Sequence, residues 1–146
     1  MRVSEIMTRE PATVRPDSTL GEVAMLMKQE DCGSLPVVDD GRLVGIVTDR
    51  DVVVRAIAAG KDPKSTHVSD VMSADPITVR PEDSVADAED VMRSRQVRRL
   101  PVVEDDRLVG ILVTAQVARH EKERATGETI KEISEPASGR ATHARG

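Results

Sequence analysis

The chain has 146 residues, of which 38% are hydrophobic and 32% charged, a composition typical of soluble globular proteins rather than disordered ones. It contains no Phe, Trp or Tyr, so it lacks the aromatic side chains on which single-stranded nucleic acids stack. The formal net charge of −5 also disfavours a phosphate backbone as a partner. We therefore expect no nucleic-acid binding.

The N-terminal stretch MRVSEIMTRE is charged where a signal peptide is apolar. No apolar run approaches the roughly 20 residues that cross a bilayer, so we expect no membrane partner and a cytoplasmic location. The single cysteine, Cys32, excludes an intrachain disulfide and is expected to be a packing residue. The three histidines, His67, His120 and His143, share no metal-ligand spacing, and no metal site is predicted.

An internal repeat organises most of the chain. Shifting the sequence by 65 positions aligns residues 3–54 with 68–119 without a gap, and 20 of the 52 aligned positions are identical. Such self-similarity is the signature of a tandem of structural units. The predicted units are a first repeat at 1–60, a linker at 61–67 and a second repeat at 68–125. Residues 126–146 are predicted to be a tail that is disordered beyond a short helical extension.

The first repeat begins with a predicted extended segment and a helix. Residues Ala12–Arg15 are extended, because Pro16 biases the residue before it away from helix. Ser18 is then the predicted N-cap of a helix. The helical spacing i, i+3, i+4, i+7 is occupied by apolar residues: Leu20, Val23, Ala24 and Met27.

A hairpin and a second helix complete the first repeat. Two short apolar runs, Leu35–Val38 and Leu43–Val47, flank the turn DDGR at 39–42 and predict paired antiparallel strands. The second helix is predicted from near Thr48 to about Ala59. The predicted order of elements in the repeat is therefore β-α-β-β-α.

The second repeat follows the same order. Its extended piece is Ile77–Arg80, and Ser84 with Asp87 forms a capping-box pattern before the helix. A unit of this size exposes too much apolar surface to be stable alone. We therefore predict an α+β fold in which the repeats pack face to face about a pseudo-twofold axis, bury both sheets and leave a cleft between them.

The pair Thr48 and Asp51 has two readings. The Thr-x-x-Asp spacing at a strand-to-helix junction is itself a capping-box geometry. The same place on a helix also suits a ligand, since the free N–H groups favour phosphate and a carboxylate accepts the hydroxyls of a ribose. Spacing alone leaves both readings open.

The repeated stretches LPVVDDGRLVGIVTDRD and RRLPVVEDDRLVGI, with the opening IMT…TVRPD, resemble the CBS-domain pair, or Bateman module, over about residues 1–122. The resemblance implies two pseudo-symmetric clefts that bind AMP, ADP or ATP, and in some members S-adenosylmethionine. It also implies a homodimer. Five residues meet the family motif: Gly45, Ile46, Val47, Thr48 and Asp51. By resemblance, Asp51 holds the ribose hydroxyls and Thr48 assists near the phosphate.

The second repeat departs from that motif. Val113 and Gln116 stand at the positions of Thr48 and Asp51, and a glutamine cannot match a charged, bidentate acceptor. Conversely, Arg98 and Arg99 align with family positions that reach phosphates. The sequence therefore predicts one competent site and one degenerate site. The remaining candidates lie by resemblance at the adenine, with aliphatic side chains covering the base: Ser73, Ile77, Thr78 and Val37.

These features predict a non-catalytic module that senses an adenine nucleotide and regulates a protein partner. The alternative is a structural or dimerisation protein with a vestigial ligand site. An enzyme has little support, because no nucleophile–base constellation can be assembled from the residues.

Overall fold

The computed structural model describes residues 1–133, with side chains described through residue 126. Six strands, three α-helices and one π-helix make up the architecture of this part of the chain, with short 3₁₀ turns at Val3–Glu5 and Val68–Asp70. In chain order the elements are β1 (Thr8–Arg9), α1 (Leu20–Glu30), β2 (Ser34–Asp39), β3 (Arg42–Thr48), the π-helix (Asp51–Ile57), β4 (Ser73–Ala74), α2 (Val85–Arg95), β5 (Arg99–Glu104), β6 (Arg107–Val113) and α3 (Thr114–Ile133).

The two predicted hairpins are present and are joined in one six-stranded antiparallel sheet. Strands β2 and β3 pair in the same register as β5 and β6, and each pair carries one irregularity at the same repeat position. Arg42 pairs with Arg107, so the hairpins meet at their turns. Both turns have two residues with positive φ, which matches the right-handed twist of the strands: Asp40–Gly41 and Asp105–Asp106. The α+β fold with tandem repeats is confirmed.

The N-terminal segments of the repeats are exchanged. Strand β1 pairs with β6 of the second repeat, while β4 pairs with β3 of the first. The cores follow the same rule, since Val3 packs with the second repeat and Val68 with the first. Each hydrophobic core therefore contains an N-terminal segment from the other repeat, so neither core is formed by one repeat alone. The predicted strands at Ala12–Arg15 and Ile77–Arg80 contribute only isolated bridges, through Val14 and Val79.

The first helix begins one residue later than predicted. Thr19 is the N-cap of α1, and its side chain accepts a hydrogen bond from the N–H of Glu22. Ser18 is buried, and its Oγ accepts from the N–H of Arg15 at 3.0 Å, so the prediction for Ser18 is wrong. Ala24, placed on the apolar face by the spacing, is exposed. In α2 the prediction is confirmed, because Ser84 Oγ accepts from the N–H of Asp87 at 3.0 Å.

The helices that follow the two hairpins differ. After β3 the chain forms the π-helix, which ends at Ile57, two residues before the predicted end. After β6 it forms α3, which continues to Ile133. The predicted tail starts inside α3, and residues 134–146 lie outside the described part. No helix in the described part has the length and apolarity to cross a membrane.

Candidate functional site

Thr48 and Asp51 form a reciprocal cap at the junction of β3 with the π-helix. The N–H of Asp51 donates to Thr48 Oγ1 at 3.1 Å, and the N–H of Thr48 donates to Asp51 Oδ2 at 3.0 Å. The structural reading of this motif is therefore confirmed. These hydrogen bonds also hold both side chains in one conformation at the C-terminal end of β3. A pair of residues that binds a ligand needs such rigidity.

The second oxygen of Asp51 has a weaker partner. Asp51 Oδ1 lies 3.7 Å from Arg55 Nε, and the Asp51 side chain is only 13% exposed. Arg55 also donates to the carbonyl oxygen of Val71 at 3.3 Å, which ties it to the exchanged segment of the second repeat. The sequence analysis missed Arg55, although its i, i+4 spacing from Asp51 would have indicated the pair. Since a carboxylate offers about four acceptor positions, Asp51 retains capacity for further donors.

The exchanged strand β4 brings Ser73 to the strand that carries Thr48. Ser73 pairs with Ile46, two residues before Thr48, and is exposed. Thr78 is exposed as well, and Ile77 is half-buried against the second core cluster. We call the space between the Thr48–Asp51 cap and β4 the first cleft.

Val37 lies elsewhere. It is fully buried in the first core cluster and pairs with Gly45 of β3. Because it is fully buried in the core, it takes no part in the site that we propose below.

The equivalent space in the other half, the second cleft, is built around Gln116. Its Oε1 accepts from the N–H of Val113 at 2.9 Å, so glutamine keeps the capping bond that Asp51 makes in the first cleft. Its Nε2 donates to Thr8 Oγ1 at 2.5 Å. Thr8 lies on β1 opposite Ile111, as Ser73 lies on β4 opposite Ile46. The sequence analysis missed Thr8, but the 65-residue repeat pairs it with Ser73 and would have found it.

Arg98 and Arg99 lie at the start of β5. Arg98 is exposed, and its carbonyl oxygen accepts from the N–H of Thr114 at 2.9 Å. Arg99 is half-buried and pairs with Val113 in the sheet. It lines a cavity of about 190 Å³ at the boundary between the repeats, on the Val113 side, together with Thr8 and Ser34.

The cavity beside Val113 carries side chains of both charges, because Glu30 and Arg99 both line it. Glu30, Cys32 and Ser34 belong to the segment Glu-Asp-Cys-Gly-Ser at 30–34. The 65-residue shift aligns this segment with Arg-Gln-Val-Arg-Arg at 95–99. The first segment therefore contains two acidic residues, and the second contains three arginines, which suit phosphate groups.

Cys32 also lines this cavity. Burial raises the pKa of the Cys32 thiol, and the nearby Arg99 guanidinium opposes that effect only partly. The thiol is therefore protonated at neutral pH, which agrees with a packing role. Within residues 1–133, no group of three His, Cys, Asp or Glu side chains is placed to hold a metal ion.

Comparison with known proteins decides the family. A model of the CBS domain matches residues 3–57 and 68–122. The chain belongs to the CBS-domain family. The CBS domain-containing protein YhcV of Bacillus subtilis is 41% identical over 133 residues, which cover 90% of this chain and 94% of the relative. Hypoxic response protein 1 of Mycobacterium tuberculosis is 38% identical, and the match covers 90% of this chain and 93% of the relative.

Solved structures agree with the assignment. The crystal structure of Hypoxic Response Protein I with two coordinated zinc ions superposes with a TM-score of 0.76 at 37% identity, over 82% of this chain and 98% of that protein. CBSX2 in complex with AMP gives 0.76 at 29% identity, over 85% and 98%. The CBS domain pair of MJ0100 with 5′-methylthioadenosine and S-adenosylmethionine gives 0.73 at 26% identity, over 85% and 98%. CBS pairs bind adenosine ligands and typically serve as regulatory, non-catalytic modules.

Proposed function

We propose that this CBS pair binds an adenine nucleotide, AMP, ADP or ATP, in the first cleft and acts as an energy or stress sensor that regulates a protein partner. The observation that carries the proposal is the state of Asp51. Its carboxylate is positioned by the cap with Thr48, is nearly buried and retains acceptor positions, and the exposed Ser73 pairs with the strand that carries Thr48. A ribose offers two hydroxyl donors to such a group.

Each remaining residue has a role in the proposed complex. The Thr48 hydroxyl accepts the N–H of Asp51 and can still donate its own proton to a ribose or phosphate oxygen. Ile77 supplies an aliphatic surface for the base, which must replace aromatic stacking because the chain has no aromatic residues. Ser73 and Thr78 are both exposed and would contact the rim of the adenine.

The basic segment 95–99 favours a phosphorylated ligand. Arg98 and Arg99 would meet the phosphate groups, and a guanidinium fork suits that geometry. S-adenosylmethionine carries a sulfonium cation, which this segment would repel. The AMP complex of CBSX2 and the methylthioadenosine complex of MJ0100 support the shared adenosine moiety.

Linkage between binding and packing supplies the regulatory mechanism. A ligand that contacts Asp51 of the first repeat and β4 of the second would stabilise one relative arrangement of the repeats. Its differential affinity for that arrangement sets how far the equilibrium shifts, and a partner that reads the surface would respond.

A thermal-stability panel tests the proposal. Wild type, Asp51→Ala and the matched control Gln116→Ala are heated with AMP, ADP, ATP, NAD or S-adenosylmethionine, by calorimetry or with a dye because the chain has no Trp or Tyr. A ligand at 100 times its dissociation constant should stabilise the wild type by about 2.7 kcal/mol. The control should respond like the wild type, and Asp51→Ala should not respond. Absence of a shift with every ligand would reject nucleotide sensing, and nucleotide turnover in a coupled assay would indicate an enzyme.

One observation favours the alternative, a dimerisation protein with a vestigial site. The π-helix exposes three apolar side chains, Val53, Val54 and Ile57, at 58%, 48% and 52%. Such a face is suited to a second copy of the chain. Sedimentation of wild type and Val54→Asp would test this reading: a dimer that dissociates in the variant, combined with no nucleotide response, would favour it over sensing.

A further inference from the structure

Both clefts have the same capping hydrogen bond at the end of a strand, but the side chain that accepts it differs. In each, the side chain three residues after the strand end accepts the N–H of that end: Asp51 Oδ2 from Thr48 at 3.0 Å, and Gln116 Oε1 from Val113 at 2.9 Å. One terminal atom is therefore committed to the cap in both halves. The remaining terminal atom decides what each cleft can bind.

That remaining atom is an acceptor in the first cleft and a donor in the second. Among the residues whose side chains are described, Asp51 Oδ1 has only the ion pair with Arg55 at 3.7 Å. Gln116 Nε2 is already bonded to Thr8 Oγ1 at 2.5 Å. In the described part of the chain, Ser73, the repeat partner of Thr8, has no side-chain hydrogen bond.

The surroundings of the second cleft agree with its being closed. Val113 replaces the hydroxyl of Thr48 and is 9% exposed. The cavity beside it measures about 190 Å³, whereas small-molecule pockets begin at roughly 300 Å³. The lining includes both Glu30 and Arg99, so two opposite charges face the same cavity. At the position of Asp51, Gln116 offers a ribose no carboxylate, and the cavity is smaller than a nucleoside needs.

We propose that Gln116 acts as a built-in occupant of the second cleft: through its hydrogen bond to Thr8 it closes the cleft, so that each chain binds a single nucleotide. The stoichiometry rests on the proposed function, but the closure does not. The bond joins β1 to α3 across the repeats, as a ligand between Asp51 and Ser73 would join β4 to the first repeat. The second cleft is thus held by a hydrogen bond within the chain, whereas the first is left for a ligand.

Substitutions that exchange the capping residues of the two clefts test the number of ligands bound per chain. Wild type and Val113→Thr/Gln116→Asp are titrated by calorimetry with AMP and with adenosine, the latter because it avoids repulsion from Glu30. We expect one site per chain in wild type and two for adenosine in the variant. The mirror variant Thr48→Val/Asp51→Gln should bind none. Should the double variant fail to fold, Gln116→Asp alone replaces it.

Two results would overturn the inference while the proposed function stands: two sites in wild type, or a single site in the folded variant. No binding to wild type would instead reject the proposed function. In that event a measurement without ligand decides the closure.

Hydrogen exchange of the unliganded chain provides that measurement. Loss of one neutral hydrogen bond should speed exchange of the amides at 6–9 by about fivefold in Gln116→Ala. The equivalent amides at 71–74 should be unchanged, and Ser73→Ala should alter neither segment. Identical exchange at 6–9 in wild type and Gln116→Ala would show that Gln116 does not hold β1, and the inference would fail.

Discussion

Gly45 lies on β3 where the exchanged strand β4 crosses it, and the absence of a side chain there is what allows the crossing. A Cβ at this position would lie 2.7 Å from Met72 Sδ and 2.8 Å from the carbonyl oxygen of Ser73. Gly110 is in the same situation, with Met7 Sδ at 2.6 Å and the carbonyl oxygen of Thr8 at 2.9 Å. The glycine of the family motif therefore serves the exchange of segments.

Gly45→Ala should destabilise the fold. The added methyl group must displace a backbone carbonyl, and overpacking of this kind typically costs about 1–3 kcal/mol. Urea denaturation measures the change. Gly21→Ala is the matched control, because its Cβ would meet nothing closer than 3.6 Å and lies in α1, where alanine is favoured. Equal stabilities for the two variants would contradict the close crossing of β3 and β4.

The raised pKa of the Cys32 thiol predicts a pH dependence. Because the folded pKa lies above the unfolded one, the unfolded chain releases its proton first, and the contribution of Cys32 to stability is complete only below the unfolded value. The free energy of unfolding should therefore decline as the pH rises past the ordinary thiol pKa of 9.0.

Cys32→Val is the control for this decline, since valine stands at the equivalent position, Val97. The difference in stability between wild type and variant, measured by denaturation from neutral to alkaline pH, should shrink or reverse on the alkaline side. A difference that is independent of pH would show that the buried thiol does not titrate with folding.

At the scale of elements, the repeats share helix starts and hairpins but differ in the segment that joins the first helix to the hairpin. Thr19 and Ser84, which the 65-residue shift aligns, cap α1 and α2 in the same way. The joining segments are acidic at 30–34 and basic at 95–99. Equal folds thus carry unequal electrostatics in this segment.

Replacement of the arginines by the residues of the first repeat tests their role. In Arg98→Gly/Arg99→Ser the affinity for ATP should fall roughly tenfold or more for each phosphate interaction removed, while the affinity for adenosine should hardly change. Calorimetric titration gives both values. Arg80→Ser/Arg93→Ser removes the same charge from exposed ion pairs and serves as the control. An equal reduction for ATP and adenosine would argue against phosphate binding by these arginines.

At the scale of the whole molecule, the exchange of segments makes each repeat incomplete by itself. The first core cluster needs Val68 and Val71, and the second needs Val3. Burial of a core in so small a unit is marginal, so the loss of one segment matters. The two repeats are therefore coupled even without ligand.

Two fragments of equal length should behave differently. The fragment 12–74 contains the complete first core with β4, whereas 1–63 lacks Val68 and Val71 and leaves Val3 without its partners. We expect 12–74 to show more helix by circular dichroism and to unfold at a higher temperature. If 1–63 proved as stable as 12–74, the exchanged packing would be contradicted.

The origin of the successes and errors is physical. The hairpins followed from local pattern, because alternating apolar runs and turn residues act over a few positions. The helix start at Thr19 was missed because Ser18 and Thr19 are both good caps, and burial of Ser18 decided between them. Val37 was placed near a ligand by resemblance, yet its buried position depends on packing from α1 and the exchanged segment.

The amino-acid sequence by itself determined the repeat, the family and the asymmetry between Asp51 and Gln116, because these are properties of residue identity at aligned positions. Only the tertiary structure decided which segment completes which core, and that Gln116 has a hydrogen-bond partner in Thr8. The reason is distance along the chain: 108 positions separate Thr8 from Gln116, and local rules of spacing carry no information about contacts between such remote residues.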